Sequence, residues 1–134
     1  MNGCVLDTDV VIAALDRSDA HHDRAARAIR TITEDGVPLM LSVINYAETL
    51  VRPAADESTL RVAVTAIDAL GIELLSPTPA IAREAARLRA SNISLADGFA
   101  LATARARDAG LASFDQRVRH AARAADIELV SAVR

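Results

Sequence analysis

Short apolar runs alternate with helical stripes along the whole chain. Cys4 Val5 Leu6 runs into polar Asp7 Thr8 Asp9 and then into Val10 Val11 Ile12 Ala13 Ala14 Leu15. That pattern predicts a strand, a helix, and a carboxylate, Asp7, at the strand's carboxyl end. Ser18 Asp19 is expected to open a second helix through Ala25, Ile29 and Ile32 that stops at Gly36, and Leu39 Met40 Leu41 reads as a buried strand. Ser42 can cap a helix from Val43 to Val51 closed by Pro53, and a further helix runs from Asp56 to Gly71. Ile72 to Leu75 is the third predicted strand, followed by a helix with Pro77 and Pro79 in its first turn and Asn92 at its end. Ser94 starts a helix that extends to Gly110, Leu111 to Phe114 is a strand, Asp115 to Ala125 a helix, and Ile127 to Val130 a last strand.

Parallel strands need helical crossovers and bury both faces, so this alternation predicts an α/β fold with three layers, α/β/α, around a central parallel sheet of about five short strands. Residues 1–134 form one domain: the length leaves little room for a second, and a chain this long buries roughly two-thirds of its unfolded surface without disulfides. In such sheets ligands bind beyond the carboxyl ends of the strands, near the topological switch point. Asp7 and Asp115 belong there.

Composition narrows the setting. The single cysteine, Cys4, lies on an apolar strand and reads as a buried, inert core residue of a protein from a reducing compartment. The amino terminus lacks a secretory signal and no apolar run is long enough to span a bilayer, so a cytoplasmic, membrane-free protein is expected. A formal net charge of −3 argues against a general polyanion binder. All 15 basic residues are Arg, which with abundant Ala points to a GC-rich genome and excludes any chemistry that requires Lys.

Four acids carry the candidate chemistry: Asp7, Glu48, Asp97 and Asp115. Taken singly, Asp7 and Asp115 fit N-caps, and Ser94 Leu95 Ala96 Asp97 fits a capping box. Asp97, however, shares a helical stripe with Ile93, Ala100, Leu101 and Ala104, and Glu48 lies among Ile44, Ala47 and Val51. An unpaired carboxylate in such company is costly to bury. Converging carboxylates repel one another, and a divalent cation relieves that repulsion while accepting the hard oxygen ligands that Mg²⁺ or Mn²⁺ prefers.

In order and spacing, Val5 Leu6 Asp7 Thr8 Asp9, Asn45 Tyr46 Ala47 Glu48 Thr49, Ser94 Leu95 Ala96 Asp97 and Ser113 Phe114 Asp115 resemble the PIN domain, particularly the VapC toxins of bacterial toxin-antitoxin pairs. Many relatives carry Asn where this chain has Asp9 and Thr where it has Ser113. The resemblance implies a PIN-like fold over the whole chain and an Mg²⁺- or Mn²⁺-dependent endoribonuclease acting as a toxin. It implies Asp7 and Asp97 as direct metal ligands, Asp115 ligating or holding water on the metal, Glu48 completing the acidic cluster, and Thr8 and Ser113 as secondary site residues. The reaction implied is hydrolysis of an RNA phosphodiester by metal-activated water, leaving a 3′-hydroxyl and a 5′-phosphate. It also implies a VapB-like antitoxin whose tail covers apolar helices and approaches the acids, operator DNA bound only through that antitoxin, and a toxin homodimer.

RNA attraction must come from the ion and from rim arginines, for which Arg83, Arg87, Arg89, Arg105, Arg107, Arg117 and Arg119 are candidates. With only Tyr46, Phe99 and Phe114 as aromatics, extensive base stacking is not expected. His21 and His22 read as solvated, and His120 as uninformative. Two alternatives compete: a catalytically weak PIN-fold binding subunit, and a haloacid-dehalogenase-like phosphatase built on Asp7 Thr8 Asp9. The second, like a receiver domain, normally needs a downstream Lys, which this chain lacks.

Overall fold

A computed structural model describes residues 2–133. Four short parallel strands, β1 (Cys4–Leu6), β2 (Leu39–Ser42), β3 (Glu73–Leu75) and β4 (Gly110–Ala112), form one sheet in the order β3-β2-β1-β4. Seven α-helices among the described residues connect and flank them: α1 (Thr8–Leu15), α2 (His22–Glu34), α3 (Val43–Leu50), α4 (Glu57–Ala69), α5 (Pro79–Leu88), α6 (Leu95–Ala106) and α7 (Gln116–Ala124).

Strand side chains alternate between two cores, as a pleat requires. Cys4, Leu6, Leu39 and Leu41 pack with Val10, Ile29 and Ile67 from α1, α2 and α4. Val5, Met40 and Leu111 pack with Leu101, Ala104, Val118 and Ala121 from α6 and α7. This is the three-layer arrangement expected. The thiol of Cys4 is fully buried, and burial pushes its pKa up to about 12, so it is an inert core group.

The fifth strand is reduced to one parallel bridge between Leu111 and Leu129. Leu111 donates its N–H to Glu128 at 2.8 Å and accepts from Val130 at 2.9 Å. Pairing cannot lengthen, because Asp126 takes a left-handed φ of 57° on one side and a 3-10 turn begins at Ser131 on the other. Two helix limits also differ from the pattern. α6 stops at Ala106, and the left-handed residue that ends the run is Asp108, at φ 50°; Gly110 is already the first residue of β4. α2 starts at His22, because Asp16 accepts from the N–H of Ser18 at 2.9 Å and Asp19 from that of His21 at 2.8 Å, folding this stretch into turns. Gly36, Gly71 and Asn92 do terminate helical segments, at φ 73°, 72° and 62°.

Chain direction creates the site. β1 leads to β2 and β3 on one side, and β4 is added on the other side of β1, so the sheet switches direction between β1 and β4. The residues after these two strands are Asp7 and Ser113.

Candidate metal centre

Asp7 leaves β1 at its carboxyl end, 2% exposed, and caps α1 by accepting the N–H of Thr8 at 2.9 Å through Oδ1. Its Oδ2 accepts from the Ser113 hydroxyl at 2.7 Å. Burial pushes the Asp7 carboxyl up to about 7, helped by the charges of Asp9 and Asp97 and opposed by the bonds from Ser113 and Thr8. Asp9, in the first turn of α1, accepts from the N–H of Phe114 at 3.1 Å through Oδ2. It is raised to about 6, first by burial and then by Asp115 and Asp97, against the hydrogen bonds from Phe114 and Val10.

The other two acids hold the caps that their local sequences indicate. Asp97 and Ser94 make a reciprocal capping box on α6, in which Asp97 Oδ2 accepts from Ser94 N–H at 3.1 Å. Asp115 caps α7 through Oδ1, accepting from Arg117 N–H at 2.8 Å and Val118 N–H at 3.3 Å. Each cap fixes a carboxylate by one oxygen and leaves the other without a hydrogen bond among the described residues. Capping and site-forming are therefore compatible roles of the same side chains.

Asp97 thus acts electrostatically on both Asp7 and Asp9, Asp9 on Asp7 and Asp115 on Asp9, which joins the four in one set. Glu48 does not belong to that set. It is exposed on α3 and lines a groove with Ile12, Leu15 and Val51, so the burial cost expected from its apolar neighbours does not arise. Among the described residues, no three acidic, His or Cys side chains stand as a ready-made cage.

Asn45, on the buried face of α3, lies in the Asn45–Thr49 segment that carries the PIN resemblance but is not among the site residues expected from sequence. Its Nδ2 donates to the Thr8 hydroxyl and to the Ala96 carbonyl, each at 3.1 Å, tying α1, α3 and the start of α6 together. Two buried oxygens remain without a partner among the described residues: Asp9 Oδ1 and Asn45 Oδ1. Buried polar atoms are ordinarily satisfied. Here they accompany like-charged carboxylates in an all-oxygen donor set, which is the chemistry a hard divalent cation accepts.

The rim is sorted differently from the expectation. Arg119 is buried and donates to the Ser113 carbonyl at 3.0 Å, supporting the loop that carries Ser113. Arg87 and Arg105 both pair with Glu84, at 3.0 and 3.2 Å, and Arg107 approaches Glu73 at 4.0 Å. Arg83, Arg89 and Arg117 are exposed. Neither His21 nor His22 is merely solvated: His21 stacks on Phe114 with centroids 4.6 Å apart, and His22 Nδ1 lies 2.8 Å from the Ala13 carbonyl oxygen.

The fold recurs in solved structures. The chain is similar to Mycobacterium tuberculosis VapC20, described as a sarcin-ricin loop cleaving toxin, at 18% identity and a TM-score of 0.70, over 89% of this chain and 95% of that one. It is similar to FitAcB from Neisseria gonorrhoeae at 23% identity and 0.67, over 96% and 97% of the two chains. Similarity to VapBC-1 from nontypeable Haemophilus influenzae is 17% at 0.73, over 98% of both. At these identities the likeness concerns the fold. No curated protein sequence matches the chain. The sequence profile of the PIN domain matches residues 4–124, which span every strand and every helix from β1 to α7, so the chain belongs to the PIN domain family.

Proposed function

We propose that this PIN domain is an endoribonuclease dependent on Mg²⁺ or Mn²⁺ and the toxin of a VapBC-type pair. The observation that carries the reading is the pair of unpartnered buried oxygens, Asp9 Oδ1 and Asn45 Oδ1, beside carboxylates whose pKa values burial and mutual repulsion raise. Asp7, Asp97 and Asp115 would hold the cation, with Asp9 as a further carboxylate. When bound, the cation supplies Lewis acidity at the phosphodiester and lowers the pKa of water.

The chain's own residues prepare that chemistry. Ser113 and the Thr8 N–H hold the two oxygens of Asp7, and the Phe114 N–H holds one oxygen of Asp9, so these carboxylates reach the substrate already oriented. Thr8 is in turn fixed by Asn45. Glu48 lies one helical turn beyond Asn45, where the acidic site would meet the groove. No step needs a covalent enzyme intermediate, and none needs His as general acid.

The same groove supports the partner reading. A cavity of roughly 510 Å³ runs between α1, α3 and α4, lined by Ile12, Leu15, Val62, Ala63 and Ala66. Val51 and Val62, 70% and 69% exposed, border it. A VapB-like antitoxin would cover this apolar surface, and DNA contact would come through that partner alone. A similar structure, VapBC2 from Rickettsia felis, is bound to a DNA fragment from its promoter.

Sequencing RNA ends after controlled expression, against an Asp97→Ala control, tests the nuclease reading and its target together. New ends confined to the parent protein are expected. Identical end profiles from parent and variant, with both proteins folded, would sink it.

A further inference from the structure

The first turn of α3 brings a neutral amide to the edge of the sheet that carries the acids. β2 passes into α3 without a loop, because Ser42 is both the last residue of the strand and the cap of the helix, its Oγ accepting the Ile44 N–H at 3.3 Å. Asn45 therefore stands at the carboxyl end of β2, the strand beside β1, and it is fully buried. A polar side chain buried there costs free energy unless its hydrogen bonds are made.

One nitrogen makes both of its side-chain bonds. Nδ2 donates to the Thr8 hydroxyl and to the Ala96 carbonyl, and because a carbonyl only accepts, Ala96 fixes which end of the amide faces it. Thr8 is the residue after Asp7, and Ala96 is the residue before Asp97. The two acids stand at the starts of α1 and α6, helices that pack into different cores on the two faces of the sheet. Among the described residues, the side-chain hydrogen bonds of Asp7 go to Thr8 and Ser113 and those of Asp97 to Ser94, so neither carboxylate sets the other's place. The charge of Asp97 is felt at Asp7, and like charges push the two helix starts apart. A neutral donor bridging them resists that push and adds no charge of its own.

We propose that Asn45 is a positioning residue of the metal centre: by tying Thr8 to Ala96 it sets the separation of Asp7 and Asp97, and with it how well the pair receives a divalent cation. The proposal rests on the metal-dependent reading and deepens it. Asn45 acts through the chain neighbours of the two carboxylates, and groups held in place before binding lose less entropy on it. A carboxylate at position 45 would fail in this role, since it cannot donate to the Ala96 carbonyl and would add a further negative charge.

The test compares the full chain with Asn45→Leu, which keeps the size of the side chain and removes both bonds, with Thr8→Val, which removes one, and with the double variant. Thr103→Val is the control, because it deletes a buried hydroxyl whose bond, 2.7 Å to the Phe99 carbonyl, stays within α6. Urea denaturation gives the folded fraction of each protein. Mn²⁺ affinity is then measured by isothermal titration calorimetry without RNA, and cleavage of a structured RNA is followed as Mn²⁺ is varied. The positioning role predicts an Mn²⁺ Kd raised about tenfold or more in folded Asn45→Leu and about threefold or more in Thr8→Val, with the double variant within about twofold of Asn45→Leu, because both changes cut the same bridge. Cleavage lost at low Mn²⁺ returns in part as Mn²⁺ is raised, while KM for RNA stays within about twofold. Thr103→Val keeps the parent's Mn²⁺ affinity whatever stability it loses. An Asn45→Leu protein that loses stability with its Mn²⁺ affinity unchanged, or an equal loss of affinity in Thr103→Val, would overturn the positioning role while leaving the metal site standing. The predicted losses of Mn²⁺ affinity in a chain that cuts no RNA would keep the positioning role and remove the nuclease reading. A parent that binds no Mn²⁺ removes the metal reading and the role of Asn45 with it.

Discussion

At the scale of single residues, the consequential fact is that buried Asp7 and Asp9 are held above the usual carboxylate range, at about 7 and about 6. A carboxyl raised in the folded state keeps a proton that the unfolded chain releases near pH 4, so in the metal-free protein the stability these two groups contribute is full below that pH and is lost as pH rises through 6 and 7. Asp7→Asn removes the charge and keeps most of the shape. In EDTA it is expected to raise stability at pH 7.5 by about 1–3 kcal/mol and to flatten the dependence on pH, as read by urea denaturation at pH 5 and 7.5; a variant less stable than the parent at pH 7.5 counts against the electrostatic account. Asn45→Ala removes both donors that join Thr8 to Ala96 and is expected to cost about 1–3 kcal/mol, measurable in the same way. Asp7, Asp97 and Asp115 were legible because strand ends and a capping box are local patterns. Asn45 was not singled out, although it lies in the segment that carries the resemblance, because its partners, the Thr8 hydroxyl and the Ala96 carbonyl, are remote in sequence and nothing local marks it as buried. The stacking of His21 on Phe114 had no local signal at all: its members come from the turn before α2 and the segment after β4.

At the scale of elements, the packing of α5 on α6 controls where Asp97 stands. A Cβ built on Gly98 would lie 2.6 Å from the Ala85 carbonyl oxygen and 3.4 Å from its Cα, so the two backbones touch at this point. Helix propensity alone favours Ala over Gly by about 1 kcal/mol. The clash with rigid backbone outweighs that gain, and Gly98→Ala is expected to lower stability by about 1–3 kcal/mol and to depress cleavage by moving Asp97. Thermal melting and RNA cleavage rates check the two halves; a stabilised, fully active variant would show that α5 yields freely. Glycine spacing in sequence cannot reveal this contact, because Gly98 reads simply as a weak point in a helix. Strand–helix order was legible from period and caps, and so was the three-layer architecture. The fifth strand was overcalled because Ile127 to Val130 has strand composition, while its length is set by the left-handed Asp126 and the turn at Ser131.

At the scale of the molecule, two surfaces divide the proposed work: an acidic centre at the β1–β4 switch point, and an apolar groove that Glu48 borders. If the groove receives a VapB-like antitoxin, Val62→Asp is expected to weaken the pair at least tenfold by calorimetry with the protein's own operon partner while leaving RNA cleavage within twofold. Val62 is 69% exposed, so the folded chain tolerates the change. A variant that pairs normally would remove the groove from the interface. The central claim, that the carboxylates at the β1–β4 switch point hold a divalent cation and cut RNA, is tested most directly by cleavage of a structured RNA by the purified chain. With Mg²⁺ or Mn²⁺ the parent is expected to cut, leaving a 3′-hydroxyl and a 5′-phosphate, and EDTA is expected to stop it. Asp97→Ala, folded by circular dichroism, should cut at least about a hundredfold more slowly. Cleavage that persists in EDTA, or an Asp97→Ala variant that cuts as fast as the parent, would contradict the account.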